Sequence, residues 1–335
     1  MAESQQQLFD TSKPPPHNRI GVDYRATPQR KVPGPIFDVH THARNVQWSK
    51  TFLDVADAYG IGKIWTMAPL EDVDPLRAAY PGRFAFIAVP RWSGAAEGFN
   101  EAYVTDWLHR LDQFYERGAR LVKFHMAPGT KKTWGMDLEH PLIQRVIKHA
   151  YHLGFHFMTH VGDPLAWFRP GGKYANRQEY DSFQDQFLLL ERFLAQYPDR
   201  IHMGAHMGGS LEDLDALQQR LDKFPNYCLD SSATKWIVRA VAEQPAERVR
   251  AFIIRNQDRI LFGSDLVVGE KYDWDHYASR YWAHQTMWET DYRGESPIDD
   301  PDADRGIPRL QGLDLPAEVL TKLYRTNAQK WLETL

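Results

Sequence analysis

Pro35-Ile36-Phe37-Asp38-Val39-His40-Thr41-His42 decides how this chain reads, because an apolar strand ends in two imidazoles one strand repeat apart. Alternate side chains of a strand point to opposite faces, so His40 and His42 share a face with Asp38. Two neutral imidazoles in that relation can bind one divalent cation, and strand-borne ligands are rigid enough for a catalytic metal. A lone His-x-His also suits a polar strand end bonded to water or backbone. Its meaning therefore depends on what the later strands carry.

Working outward, strand patterns fall at Ile36–His40, Ile64–Met67, Phe84–Val89, Arg120–Phe124, Phe155–Thr159, Ile201–Ala205, Tyr227–Leu229 and Ile260–Phe262. Between them lie helical patterns such as Glu101–Arg117, Pro141–His152, Phe183–Gln196 and Leu211–Lys223. Short apolar strands alternating with helices imply a parallel sheet covered on its outer face. Eight such units over about 230 residues match a closed α/β fold, the (β/α)8 TIM barrel. An open doubly wound sheet would show a glycine-rich phosphate turn after its first strand, and His40-Thr41-His42-Ala43-Arg44 is not one.

Residues 1–34 are proline-rich (Lys13-Pro14-Pro15-Pro16, then Pro28 and Pro33) and read as an irregular N-terminal arm, either mobile or wrapped round a neighbour. Residues 35–335 read as a single barrel domain. Within it, the aromatic segment 272–292 is expected to cap the barrel mouth or form a subunit contact, with a homodimer the simplest assembly. An acidic loop, Glu295–Asp304, follows it. Pro316–Leu332 forms a C-terminal helical extension with Leu320, Leu323, Tyr324 and Trp331 on its apolar side.

A net charge of −4 without a long basic run argues against a nucleic-acid partner. No run of 18 apolar residues argues for a membrane span, and Met1–Asp10 lacks the apolar core of a secretory signal. Cys228 is the only cysteine, which rules out an internal disulfide and fits a reducing compartment. The expectation is a cytoplasmic protein with a small-molecule substrate.

In a closed parallel barrel the C-terminal strand ends gather at one mouth, where active sites lie. His160 closes Phe155–His160 and His206 closes Ile201–His206. His156 and His202 stand in the same phase but about 13 Å deeper, which assigns them to structural hydrogen bonding. Asp265 follows the apolar run Ile260-Leu261-Phe262-Gly263-Ser264, and a carboxylate just past a buried strand needs a partner. A metal supplies one.

An Asp-x-His-x-His after the first strand, histidines ending the fifth and sixth, and an aspartate ending the eighth resemble the amidohydrolase superfamily. The finer resemblance is to its amidohydrolase-related branch, which includes aminocarboxymuconate-semialdehyde decarboxylase. It rests on Phe37–His42, Gly118–His125, Gly204–Gly209, Leu261–Asp265 and Tyr324–Gln329, and spans about residues 35–334. The resemblance implies one divalent metal, usually zinc, held by His40, His42, His160 and Asp265. It also implies that Asp265 takes a proton from the metal-activated water, while His206 sits beside that water as a catalytic group. Lys123 and His125, in phase on the fourth strand, are further ligand or substrate-binding candidates. A carboxylated Lys123 would imply two ions, whereas in this branch the lysine stays unmodified. Lys123 otherwise has an internal carboxylate such as Asp38 to pair with.

Cations and rings past the strand ends (Arg44 and Trp48, Arg91 and Trp92, Trp167 and Arg169, Lys235 and Trp236) suit a small anionic or aromatic substrate. Of these, Arg44, Arg91, Trp92 and Trp167 are the first candidates for contact with it. The leading expectation is a metal-dependent hydrolase of a lactone, ester or amide. The alternative is a non-oxidative decarboxylase on the same scaffold, with a hydratase and a non-catalytic binding protein as further possibilities.

Overall fold

The computed structural model describes residues 16–95 and 98–333; Met1–Asp10 and Lys13-Pro14-Pro15 of the arm lie outside the described residues. Eight strands form the ring: β1 (Ile36–His42), β2 (Ile61–Thr66), β3 (Phe84–Ala88), β4 (Leu121–Met126), β5 (His156–Val161), β6 (His202–Gly204), β7 (Tyr227–Asp230) and β8 (Ile260–Leu261). A further two-residue strand, β9 (Leu266–Val267), lies beyond β1 in the order β8-β7-β6-β5-β4-β3-β2-β1-β9. All of these pairings are parallel. The fold is therefore the (β/α)8 barrel that the eight apolar runs predict.

Closure falls to the shortest strand. β8 pairs with β7 through Leu229↔Ile260 and Asp230↔Leu261. The chain then crosses to β1: Val39 N donates to Phe262 O (2.9 Å), Asp265 N donates to His40 O (2.8 Å), and β9 aligns Leu266 with Thr41. Asp265 is thus fixed by backbone bonds directly beside the His40-Thr41-His42 strand end.

The final helix secures this seam, and it departs from the continuous helix expected over Pro316–Leu332. Ala317–Thr321 is α-helical, Lys322–Thr326 widens into a π-turn, and Asn327–Leu332 is α-helical again. The Leu323 carbonyl accepts instead from Phe262 N (2.9 Å), and the Asn327 side chain donates to the carbonyls of Gln257 and Ile260 (2.7 Å each). The wide turn exchanges one intrahelical bond for a bond that satisfies the inner strand.

The aromatic segment lines one side of the barrel mouth through Tyr272, His276 and Arg280 and is otherwise enclosed in the fold. It contains the helix Trp274–Glu289, buried on nearly every side, with Tyr277, Tyr281, Met287 and Trp288 fully enclosed. Tyr281 reaches under the barrel mouth to donate to Asp38 Oδ2 (3.1 Å). Residues 16–34 are irregular and pack on this same chain: Tyr24 and Val32 are buried, and the Tyr24 ring meets Trp282 edge-on. No helix among the described residues is long and apolar enough to cross a membrane.

Several histidines are structural. His156 Nδ1 accepts from Ile201 N (2.8 Å), and His202 Nε2 donates to the Tyr197 carbonyl (3.0 Å). Burial holds both down to about 4, and His284 to about 3. An imidazole whose folded-state pKa lies below its unfolded value of 6.5 leaves the native state with fewer protons than the unfolded chain. Its contribution is full above pH 6.5 and is lost as the pH falls towards about 4. The thermal midpoint is expected to drop across that window. His202→Gln should flatten the slope by at most about 1.4 kcal/mol per pH unit; an unchanged slope would contradict this account.

Candidate metal centre

The mouth brings together ligand groups from the ends of four strands. Asp265 Oδ1 lies 3.2 Å from His40 Nε2 and 3.1 Å from His42 Nε2. Ligands about 2.0–2.1 Å from a tetrahedral zinc stand about 3.3 Å from one another, so this spacing suits one ion. A second triad shares His40, with His206 and Asp230. Each set has its donor atoms within 4.8 Å of one another.

Asp230 organises both. Its Oδ2 accepts from His40 Nδ1 (2.8 Å). Its Oδ1 accepts from the backbone N–H groups of His206 and Ser232 (3.0 Å each) and from the Ser232 hydroxyl. Ser232 Oγ in turn accepts from His206 Nδ1 (2.8 Å). Both histidines are thereby turned so that their lone pairs sit on Nε2, the arrangement in which a carboxylate orients a metal-binding imidazole. His160 Nε2 donates to Gly162 O (3.1 Å) and Asp163 Oδ1 (3.2 Å), and Asp163 is held by Tyr174 OH (2.7 Å). That leaves His160 Nδ1 facing His206 Nε2 at 3.2 Å. Two imidazole lone pairs so placed repel unless a cation or a shared proton lies near them. The donor set fits a divalent metal.

The backbone is strained here. Both His206 (φ 58°) and Met207 (φ 52°) are left-handed, and Gly208 and Gly209 continue the turn. Asp265 is left-handed as well (φ 60°). Such non-glycine residues cost about 1–2 kcal/mol each and concentrate at functional sites. Gly209 is obligatory, because a Cβ there would lie 1.8 Å from the Val161 carbonyl oxygen.

Charge is concentrated in little solvent. Burial pushes the Asp230 carboxyl up, but the charge and hydrogen bond of His40, with His206 and Lys123, outweigh it, and the carboxyl sits well below the usual range. Asp265 is held down in the same way, mainly by His40. His40 moves up because Asp230 and Asp265 outweigh its burial and the Lys123 charge. Burial, then His160, keeps His206 far below its ordinary value. Lys123 is buried, points its Nζ at His40 Nε2 (3.5 Å) and falls to about 8 through burial. The carboxylates acting on it are Asp230 and Asp265. Asp38 instead accepts from Ser264 N, Ser264 Oγ and Tyr281 OH, so the expected Lys123–Asp38 pair does not form.

Two cavities open on this centre. One of about 420 Å³ is lined by His160, His206 and Asp265, and one of about 660 Å³ by His125, Trp92 and Tyr174. They share His160, Asp163 and Trp167. Trp92 therefore lines the second cavity and Trp167 lines both. Arg44 and Arg91 line neither cavity: Arg44 lies near Asp72, and exposed Arg91 pairs with Asp106 (3.5 Å). His125 is fixed by Thr130 (2.7 Å) and packs edge-on against His160. Sequence reasoning missed Asp230, although it closes the apolar run Tyr227-Cys228-Leu229 just as Asp265 closes the eighth strand. It also missed Asp163 and Ser232, whose roles depend on partners far along the chain.

A barrel whose strand ends converge two histidines and an aspartate beside a cleft defines the class of metal-site (β/α)8 enzymes. The chain belongs to the amidohydrolase family, whose sequence profile matches residues 37–334. It is an enzyme of the amidohydrolase superfamily. No protein of curated function matches the sequence. Among solved structures it is similar to 2,6-dihydroxybenzoate decarboxylase from Rhizobium (15% identity, 90% of this chain and 99% of that one, TM-score 0.50). It is also similar to dihydroxybenzoic acid decarboxylase from Polaromonas sp. JS666, solved with manganese and 2-nitroresorcinol (12% identity, 90% and 97%, TM-score 0.52). A third is 5-carboxyvanillate decarboxylase from Novosphingobium aromaticivorans, solved with manganese (13% identity, 90% and 96%, TM-score 0.50). At these identities the likeness is one of fold.

Proposed function

We propose that the chain is a metal-dependent hydrolase that cleaves a C–O or C–N bond (lactone, ester or amide) of a small anionic or aromatic metabolite. The observation that carries this reading is the Asp265 carboxylate meeting both His40 and His42 at the rim of the cavity. His40, His42 and Asp265 would hold one divalent ion, with His160 the further nitrogen ligand we assign; two nitrogens and one oxygen suit zinc. When bound, the ion acts as a Lewis acid and lowers the pKa of water towards about 7. The Asp265 oxygen not engaged by the histidines takes the proton from the attacking water. His206, held by Ser232 and Asp230, presents its Nε2 lone pair to orient that water. Trp92 and Trp167 form the walls against which a planar substrate packs.

The decarboxylase reading has its own support. Rings of Trp167, Trp236 and Tyr272 share the first cavity with the cations Lys235, Arg239 and Arg280, and several enzymes of like fold act on aromatic carboxylic acids by name. Purified protein should first be assayed for bound metal. It is then incubated with panels of lactones and of hydroxybenzoates, following acid release and carbon dioxide separately. Acid release from a lactone with no carbon dioxide is the expected result; carbon dioxide from a hydroxybenzoate alone would replace the hydrolase by the decarboxylase.

A further inference from the structure

The first cavity holds a second cluster to which the hydrolase chemistry above gives no role: Lys235, His276, Arg280 and Tyr272. Arg280 lies in the Trp274–Glu289 helix and is 9% exposed. The two N–H groups of its Nη1 are shared among the His276 carbonyl (3.0 Å), Ser279 Oγ (3.0 Å) and Nδ1 of His17 in the N-terminal segment (2.9 Å). Nε and Nη2 donate to none of the described residues, and no carboxylate among those residues forms an ion pair with the guanidinium, although Asp273 acts on it from a distance. Lys235 likewise has no ion pair among the described residues, although Asp299, Asp300 and Asp302 act on it from a distance. Arg239 differs. It is paired with Asp300 and, at 3.5 Å, with Asp302, so that third cation of the cavity is already neutralised.

Guanidinium does not lose its proton at neutral pH, and burying one without a counter-charge is costly. Burial brings Arg280 down to about 10, which leaves it charged. Burial, followed by the Arg280 charge, holds the facing His17 at about 4 and His276 at about 2, so neither adds positive charge. A purely architectural tie between the arm and the helix would use only Nη1, and a neutral amide would serve it. The charge and the Nε and Nη2 donors, unused among the described residues, are unexplained by that role.

We propose that Arg280 and Lys235 form an anion subsite that takes a carboxylate of the substrate remote from the bond that reacts at the metal centre. Nε and Nη2 offer the side-on bidentate edge that a carboxylate prefers. His17 holds the third nitrogen, which makes the N-terminal segment a positioning element. The Trp167, Trp236 and Tyr272 rings in the same walls favour a planar body between the two ends, so the substrate class is a small planar acid with a carboxylate at its far end. This rests on the barrel mouth being the active site, but not on which bond is broken there.

Isophthalate is a suitable probe, with uncharged benzamide as its control, and calorimetry reads binding without turnover. Binding is measured on the full-length protein both as purified and after chelation. Isophthalate should bind tighter than benzamide in both states. Arg280→Gln should weaken it by about tenfold or more, Lys235→Gln by several-fold, and Arg280→Lys should recover part of the loss. Persistence after chelation separates this subsite from the metal reading, since a failure of metal binding leaves these ratios intact. The proposal is overturned if wild-type protein does not prefer isophthalate, or if folded Arg280→Gln binds it as wild type does. Should Arg280→Gln fail to fold, Lys235→Gln, which breaks no hydrogen bond among the described residues, carries the test, and an unchanged affinity there overturns it.

Discussion

Asp265→Asn is expected to strip the centre of its ion and to lower turnover by roughly a hundred- to ten-thousand-fold. Asparagine is the right replacement because it keeps the shape of the side chain and tolerates the left-handed backbone at this position (φ 60°). What it removes is the negative charge that meets His40 and His42 at 3.2 and 3.1 Å. Two neutral imidazoles then remain without the anionic oxygen that completes their set, and the group assigned to take the proton from water becomes an amide. The backbone bond from residue 265 to His40 O persists, so the barrel seam should hold, and the thermal midpoint should fall to about that of the chelated wild type. Metal content by elemental analysis and turnover should fall together. A variant with full metal and full activity would remove Asp265 from the chemistry.

Much of this arrangement is legible in the sequence, for a physical reason. Strands buried on both faces read as uninterrupted apolar runs, so a histidine or aspartate at their ends stands out, and His40, His42, His160, His206 and Asp265 all do. Asp230 carries the same signature and is recoverable by the same test. Other features are not written locally. The left-handed turn at His206 and Met207 has no glycine at either position, so only the Tyr227 and Val161 atoms crowding the following turn reveal it. β9 is two residues long, below what periodicity can detect. The aromatic helix has no apolar stripe because it is enclosed all round, and this hid its place inside the molecule. Arg44 and Arg91 show the opposite case. They follow strand ends as substrate-binding residues should, yet neither lines the two cavities at the mouth. Arg280 is visible only once His17, 263 positions away, is brought against it.

His206→Asn should separate the two overlapping triads. If His40, His42 and Asp265 hold the ion, the variant retains it while turnover falls by roughly a hundred- to ten-thousand-fold, the usual cost of losing a positioned acid–base group. Asparagine again suits the left-handed backbone (φ 58°), and the bond from the residue 206 N–H to Asp230 is unaffected because it belongs to the main chain. Asp230 therefore still orients His40 through Nδ1. The imidazole is what disappears, and with it the lone pair that faces His160 at 3.2 Å. Relieving that contact frees His160 Nδ1 to turn towards the ion, so affinity for zinc should hold or rise. Loss of the ion instead would mean that the working set is His40, His206 and Asp230, the other triad the geometry allows. Metal content and turnover measured on one preparation therefore decide between a ligand and a group that acts on water.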